Sequence, residues 1–236
     1  MPTQSVLGLG ARAFRGYGAA TTTTTTSTTT TTPPTIPLVY LDASIPASYG
    51  GSGSTWYDLS GNNNHVTLYN MSYTTDLGGG FVCNGSTSSA YDFSKTLDFP
   101  NNAFSICTWV KQYSTSPFYQ RYLSLANENG VLRLQGGSYE MYVRSSGTLQ
   151  FLVAGSAPLN TAQHVCGIWT GTTLQIYVNG TLIGQNTVGG SMIENDLTFL
   201  ISANSESING VIYNMMVYDV ALSSSQVSQL YTSTSR

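Results

Sequence analysis

Residues 164–184 read His164-Val-Cys-Gly-Ile-Trp-Thr-Gly-Thr-Thr-Leu-Gln-Ile-Tyr-Val-Asn-Gly-Thr-Leu-Ile-Gly184, and this stretch decides the fold. Two short strands are predicted on either side of a Gly-Thr-Thr turn. Ile176 and Val178 alternate with polar residues, and Leu182 follows the Asn179-Gly180 pair. Asn-Gly supplies the two positive-φ positions of a tight type I′ turn, so a hairpin is expected there.

The same grammar continues in both directions. Apolar runs bounded by Gly, Asn or Ser occur at Leu38–Leu41, Val66–Tyr69, Gly80–Cys83 and Ala90–Phe93. Phe104–Lys111 alternates two apolar sets, as a strand between two packed layers does. Further runs are Tyr122–Ala126, Val131–Leu134, Glu140–Val143, Leu149–Val153, Leu197–Ile201 and Val211–Tyr218. About a dozen short strands at this spacing predict an all-β sandwich of two antiparallel sheets. Trp56 and Trp109 are large enough to anchor a core between the sheets. Asn209-Gly210 predicts a reversal before the last strand. One helix is expected at the end: Ser223 and Gln226 have capping-box spacing, with Val227 and Leu230 facing inward.

Three zones follow from composition. Residues 1–20 form an arm with Arg12 and Arg15 and no acid. Residues 21–37, TTTTTTSTTTTTPPTIP, form a linker. The Thr run has no apolar alternation and cannot bury a face, and the prolines stiffen its end toward polyproline II. Residues 38–236 form the globular body. The arm offers Leu7, Leu9, Arg12, Phe14, Arg15 and Tyr17 as residues that would dock on a partner, with the linker as spacer.

Charged residues make up 8% of the 236, against roughly 25% in an average soluble domain. The net charge of -3 excludes the chain as a whole from nucleic-acid binding. No run reaches the roughly 18 apolar residues of a membrane span. The N-terminal stretch is not a secretory signal. Cys83, Cys107 and Cys166 lie in separate apolar runs with no Cys-x-x-Cys spacing to mark zinc. They read as three buried thiols in a chain that folds in a reducing cytoplasm. A neutral, hydroxyl- and amide-rich surface without a Sec-type address predicts a virion-surface protein made in host cytoplasm, with non-classical export or a mature form whose signal has been removed as the weaker explanations.

Six segments, in order over about residues 38–232, resemble the laminin-G-like or concanavalin-A-like jelly-roll family of the kind found in phage structural proteins. LVYLDAS (Leu38–Ser44) is similar to its opening strand, and TWYDLSGNNNHVTLYN (Thr55–Asn70) to its Trp-x-Asp-Leu-Ser-Gly motif. GGGFVCNGS (Gly78–Ser86), FSICTWVK (Phe104–Lys111) and HVCGIWTGTTLQIYVNG (His164–Gly180) resemble its Phe-containing, central-Trp and paired strands. INGVIYNMMVYDVALSSSQVSQLY (Ile208–Tyr231) resembles its last strand and terminal helix. The resemblance implies a jelly roll used to hold sugars or other surfaces. Relatives place acids in the final strand, where this chain has Val211-Ile-Tyr-Asn-Met-Met-Val217. No cofactor is expected. The weak calcium candidates are Asp58, Asn62 and Asn64, hard oxygen donors that a turn network would also use.

Glycosidase chemistry needs two carboxyl groups roughly 5–9 Å apart across the scissile bond. No predicted strand carries two acids, and the sole close pair, Glu194 and Asp196, reads as loop. His65 and His164 stand in no triad or zinc motif. Glycan binding needs exposed aromatics beside polar groups. The best candidate is YSTSPFYQRY, with Tyr113, Phe118, Tyr119, Arg121 and Tyr122. The expected function is a non-catalytic virion structural protein, either capsid decoration or fibre-associated. Its arm would anchor it to a capsid or fibre protein, and it would be multicopy or homo-oligomeric and adhere to host-surface polysaccharide. A free-standing lectin module and a glycoside hydrolase are the alternatives.

Overall fold

The computed structural model describes residues 36–192, 196–202 and 204–236. The expected docking residues Leu7, Leu9, Arg12, Phe14, Arg15 and Tyr17 lie outside them, as do Glu194 and all of the spacer before residue 36.

Seventeen strands and one α-helix order the described chain. They are β1 (Val39–Asp42), β2 (Thr55–Trp56), β3 (Val66–Tyr69), β4 (Ser72–Thr74), β5 (Gly80–Asn84), β6 (Ser89–Tyr91), β7 (Phe104–Gln112), β8 (Tyr119–Leu125) and β9 (Val131–Gln135). Then follow β10 (Ser138–Ser145), β11 (Thr148–Ala154), β12 (Ala162–Trp169), β13 (Thr173–Val178), β14 (Thr181–Thr187), β15 (Phe199–Ile201), β16 (Asn209–Ile212), β17 (Asn214–Tyr218) and α1 (Ser224–Ser233). Each expected run is found as strand. The short strands β2 and β4 had no clear sequence signal.

The strands build two antiparallel sheets, the expected jelly roll. The first has the order β14-β13-β12-β7-β16-β5-β4, with β17 pairing both β7 and β1. The second runs β11-β10-β9-β8-β15-β6-β3-β2. Asn179 and Gly180 carry φ of 49° and 79°, both positive as a type I′ turn needs, and Val178 pairs Thr181 across it.

Alternation sorts side chains onto three surfaces. Phe104, Ile106 and Val110 of β7 point between the sheets with Trp56, Phe81, Trp169, Leu132 and Phe199. The intervening Cys107 and Trp109 point the other way, toward α1. Trp109 therefore does not anchor the inter-sheet core as expected. Its indole donates to Thr234 Oγ1 (2.9 Å) and stacks on Tyr231 at 5.7 Å. Trp169 occupies the core instead. The helix covers this outer face because Val227 and Leu230 bury on it. Ser223 and Gln226 close the capping box, worth about 1 kcal/mol.

Two further expectations are corrected. Asn209-Gly210 makes no reversal but lies inside β16, and the only interruption is at Tyr213, between β16 and β17. A Cβ on Gly210 would stand 2.0 Å from the Lys111 carbonyl oxygen, so glycine is there for close backbone approach. Nor are all three cysteines thiols. Cys107 and Cys166 are direct partners in the β7–β12 ladder, Cα to Cα 4.1 Å, and form a disulfide. Sheet pairing overrides their separation of 59 residues. Cys83 alone remains a thiol, and burial pushes it up to about 12.

Candidate functional site

Among the described residues no helix lies on the outer face of the second sheet, so its outward side chains are the ones left to meet a partner. Sequence alternation chooses them. In β9, Leu132 and Leu134 enter the core, which turns Arg133 and Gln135 outward. The Gly136-Gly137 turn, with φ of 56° and 93°, sets the register of β10, so Glu140 faces Arg133 and Tyr142 faces Val131. Leu149, Phe151 and Val153 of β11 continue the surface to the sheet edge. On the other side a bulge between Arg121 and Leu123 resets β8. It leaves Tyr119 and Arg121 outward while Tyr122 and Leu123 both enter the core.

These residues line a cleft of about 500 Å³. Its floor is a chain of alternating charges. Arg133 Nε donates to Glu140 Oε2 at 2.5 Å, and Arg133 Nη1 to Glu206 Oε2 at 3.3 Å. Glu206 also accepts from Arg121 Nε at 2.5 Å. Arg121 lies 3.8 Å from Glu128, which accepts from Arg144 at 3.2 Å. Three of the four glutamates in the chain meet three of its arginines here. In a protein so poor in charge, that convergence marks the site. Glu128 and Glu206 come from short 3-10 turns, Ala126–Glu128 and Asn204–Glu206, and Glu128 has φ of 60°.

Aromatic rings stand beside the charges. The Arg133 guanidinium lies 3.9 Å from the Tyr119 ring centre and 4.8 Å from that of Tyr142. Tyr142 packs against Phe151 at 5.4 Å, and burial pushes its phenol up to about 12. Phe151 and Val153 are nearly half exposed. A second hollow of about 180 Å³ adjoins the cleft through Arg121 and Glu128, walled by Phe93 and Leu200. Phe93 ends a stack with Tyr91 (4.3 Å) and Tyr69 (4.7 Å from Tyr91). The arrangement offers ring faces and, between them, carboxylate acceptors and guanidinium donors, the two needs of a polyhydroxylated ligand.

Of the residues expected to bind ligand, Tyr119 and Arg121 lie in the cleft. Phe118 is exposed beside it, edge-on to Tyr119 at 4.9 Å. Tyr113 lies with Lys111, 5.7 Å from its ammonium, and does not line the cleft. Tyr122 is a correction: it is fully buried, and its hydroxyl accepts from Gln112 Nε2. Arg133, Glu140, Tyr142, Phe151 and Glu206 were not expected. For Arg133 and Glu140 a signal existed, because a two-residue Gly-Gly turn pairs positions seven apart.

The calcium candidates form a clasp for β1. Asp58 Oδ1 accepts from the Tyr40 and Ser60 amides, and Oδ2 from Ser60 Oγ and the Asn64 amide. Asn62 and Asn64 turn their Nδ2 donors to the Leu38 carbonyl. This is the turn network, with both carboxylate oxygens engaged. His65 Nδ1 accepts from the Asp58 amide. His164 is buried beside Trp109, and burial drives its imidazole down to about 4. Asp196 sits in an exposed loop, where its amide donates to Asp98.

A family model described as the concanavalin A-like lectin/glucanases superfamily matches residues 84–228. No curated protein matches the chain. Among solved structures, the receptor binding domain of botulinum neurotoxin C/D mosaic serotype is similar, with TM-score 0.65 and 15% identity. That match covers 84% of this chain and 51% of the other. The binding domain of Paraclostridial Mosquitocidal Protein 1 gives 0.64 and 16%, covering 84% and 52%. The binding domain of botulinum neurotoxin DC was solved with rat synaptotagmin II (0.64, 16%, covering 84% and 51%) and with SialylT (0.62, 14%, covering 84% and 51%). The chain thus spans about half the length of these structures, and at such identity they share the fold alone.

Proposed function

The chain belongs to the concanavalin A-like lectin/glucanases superfamily, and from that premise we propose that it is a non-catalytic adhesion module that holds oligosaccharide on the outer face of its second sheet. The observation that carries this reading is the cleft around Arg121, Arg133 and Glu206, open to solvent and flanked by Tyr119, Tyr142 and Phe151. Sugar rings would lie on the aromatic faces while their hydroxyls exchange hydrogen bonds with the guanidinium and carboxylate groups. Similar solved domains are binding domains, one holding a protein and another SialylT, which supports recognition as the role.

Catalysis is disfavoured by the way the acids are held. A glycosidase needs one carboxyl group free to carry a proton and a second facing it across the bond. Glu128, Glu140 and Glu206 are each engaged by a guanidinium. Such pairing ties each carboxylate to a guanidinium, so no two of them stand free to face each other across a glycosidic bond.

The finer reading is a structural component of a virus particle. Residues 1–20 dock on a capsid or fibre protein, residues 21–37 space the body from it, and many copies present weak sites together. Multivalency turns weak sites into firm adhesion. The low charge of the body and its separation from a Gly- and Arg-bearing arm by a Thr/Pro spacer support this reading.

A glycan array probed with a multivalent form of the protein tests the adhesion reading. Binding that Tyr119→Ala and Arg121→Ala each abolish is expected. No signal from the multivalent form removes it. Particles that incorporate protein lacking residues 1–20 at full occupancy would remove the docking arm.

A further inference from the structure

Beneath α1, on the face of the first sheet opposite the core, Cys107, His164 and Cys166 bring their ligand atoms within 4.8 Å of one another. His164 and Cys166 are two apart in β12, so they share a face. Cys107 is the ladder partner of Cys166, and Met216 of β17 is the partner of Cys107. One cross-strand row therefore carries a thioether and two cysteine sulfurs, with an imidazole beside them. All four residues are buried, with Trp109, Tyr231 and Leu230 around them.

The spacing of sulfur and imidazole is compatible with a shared metal. Cys166 Sγ stands 3.8 Å from His164 Nε2 and 4.0 Å from Nδ1. A metal about 2.3 Å from sulfur and about 2.0 Å from nitrogen holds the two ligands about 3.7 Å apart at a trigonal angle. Among the hydrogen bonds of the described residues the imidazole has no oxygen partner, and its ring nitrogens meet the Cys166 sulfur.

We propose that, with the disulfide reduced, Cys107, Cys166 and His164 form a three-coordinate site for copper(I). Two thiolates and an imidazole are a soft donor set, which selects copper(I) over oxygen-seeking cations. A structural zinc site wants four strong ligands, and this cluster supplies three. A dithiol supplies the two electrons and two protons of the reduction. The Cys107–Cys166 bond breaks, both sulfurs become thiols, and the dithiol closes to its own disulfide. Copper(I) then binds both sulfurs as thiolates, their two protons pass to solvent, and an imidazole nitrogen gives the third bond. The oxidised protein is the metal-free, cross-linked form. This goes beyond the carbohydrate reading and does not depend on it.

The test uses the full chain under anaerobic conditions, oxidised or reduced by dithiothreitol that is then removed. Copper(I) is offered as its bicinchoninate complex, and transfer is read from the loss of the chelate's colour. The reduced protein is expected to withdraw one copper per chain and the oxidised protein none. His164→Gln should weaken retention at least tenfold, and X-ray absorption should show two sulfurs and one nitrogen around copper. Circular dichroism checks that each form is folded. The proposal is overturned if the reduced protein takes no more copper than the folded Cys107→Ser/Cys166→Ser double variant. It also fails if reduction always unfolds the chain, or if zinc binds stoichiometrically and copper(I) cannot displace it.

Discussion

Arg133 and Glu140 face each other across the β9–β10 hairpin with Nε and Oε2 2.5 Å apart, and both side chains are almost wholly buried. A buried pair adds little when compared with apolar residues, but breaking it strands a charge. Glu140→Ala should therefore cost about 3–5 kcal/mol. Urea unfolding measures it. A loss under about 1 kcal/mol would mean that solvent reaches the pair freely.

Tyr119 and Tyr122 separate binding from folding. Tyr122→Ala empties a core position and should cost about 3–5 kcal/mol, as large aromatic truncations do. Tyr119→Ala should change stability by less than about 1 kcal/mol while removing glycan retention. Thermal melts beside array binding compare them. Equal stability losses from the two would place Tyr119 in the core instead.

The Cys107–Cys166 bond spans 59 residues, and closing a loop of that length removes about 4 kcal/mol of unfolded-chain entropy. Reduction should lower the melting temperature by roughly 8–16 °C in a body of this size. Calorimetry with and without a dithiol reads the shift. An unchanged melt would show the sulfurs to be unlinked in solution.

Gly210 sits where any side chain would meet the Lys111 carbonyl. Gly210→Ala should destabilise at or beyond the upper end of about 1–3 kcal/mol, since backbone cannot give way as a side-chain tip does. A soluble variant with the parent's urea midpoint would show that β16 can slide away from β7.

Asp76 accepts hydrogen bonds from Lys111 and from the Tyr213 hydroxyl, and these hold its carboxyl below the usual carboxylate value. The unfolded chain then takes up the proton first as pH falls. The stabilisation is present above about pH 4 and is lost as pH drops through the folded value. The stability gap between the wild type and Asp76→Asn should narrow from pH 5 to pH 2 in urea titrations. A constant gap would mean that the contacts do not depend on the charge.

Local signals in the chain proved reliable where one short segment contains the whole cause. The Asn179-Gly180 turn and the Ser223–Gln226 cap depend on backbone geometry within a few residues, so both were legible. Trp109 was not, because alternation says that a residue faces one side of a strand but not which side is the core. Asn209-Gly210 misled for a related reason: the same pair that permits a turn also permits close approach of a neighbouring strand. In the cleft, Tyr119 and Arg121 were legible as an aromatic and basic loop. Tyr122 was not, because a bulge shifts the alternation of β8 by one residue.

By itself the sequence determined an all-β body, its turns, its terminal helix and its likeness to a family of jelly rolls. These follow from period-two patterning and turn chemistry, which act over a handful of residues. Only the tertiary structure decided which sheet face stays open and which charges share it. Glu206 reaches Arg121 across 85 residues of chain, and Cys107 meets Cys166 across 59. Strand order sets those meetings, and it emerges from packing the whole body, where no local spacing records it.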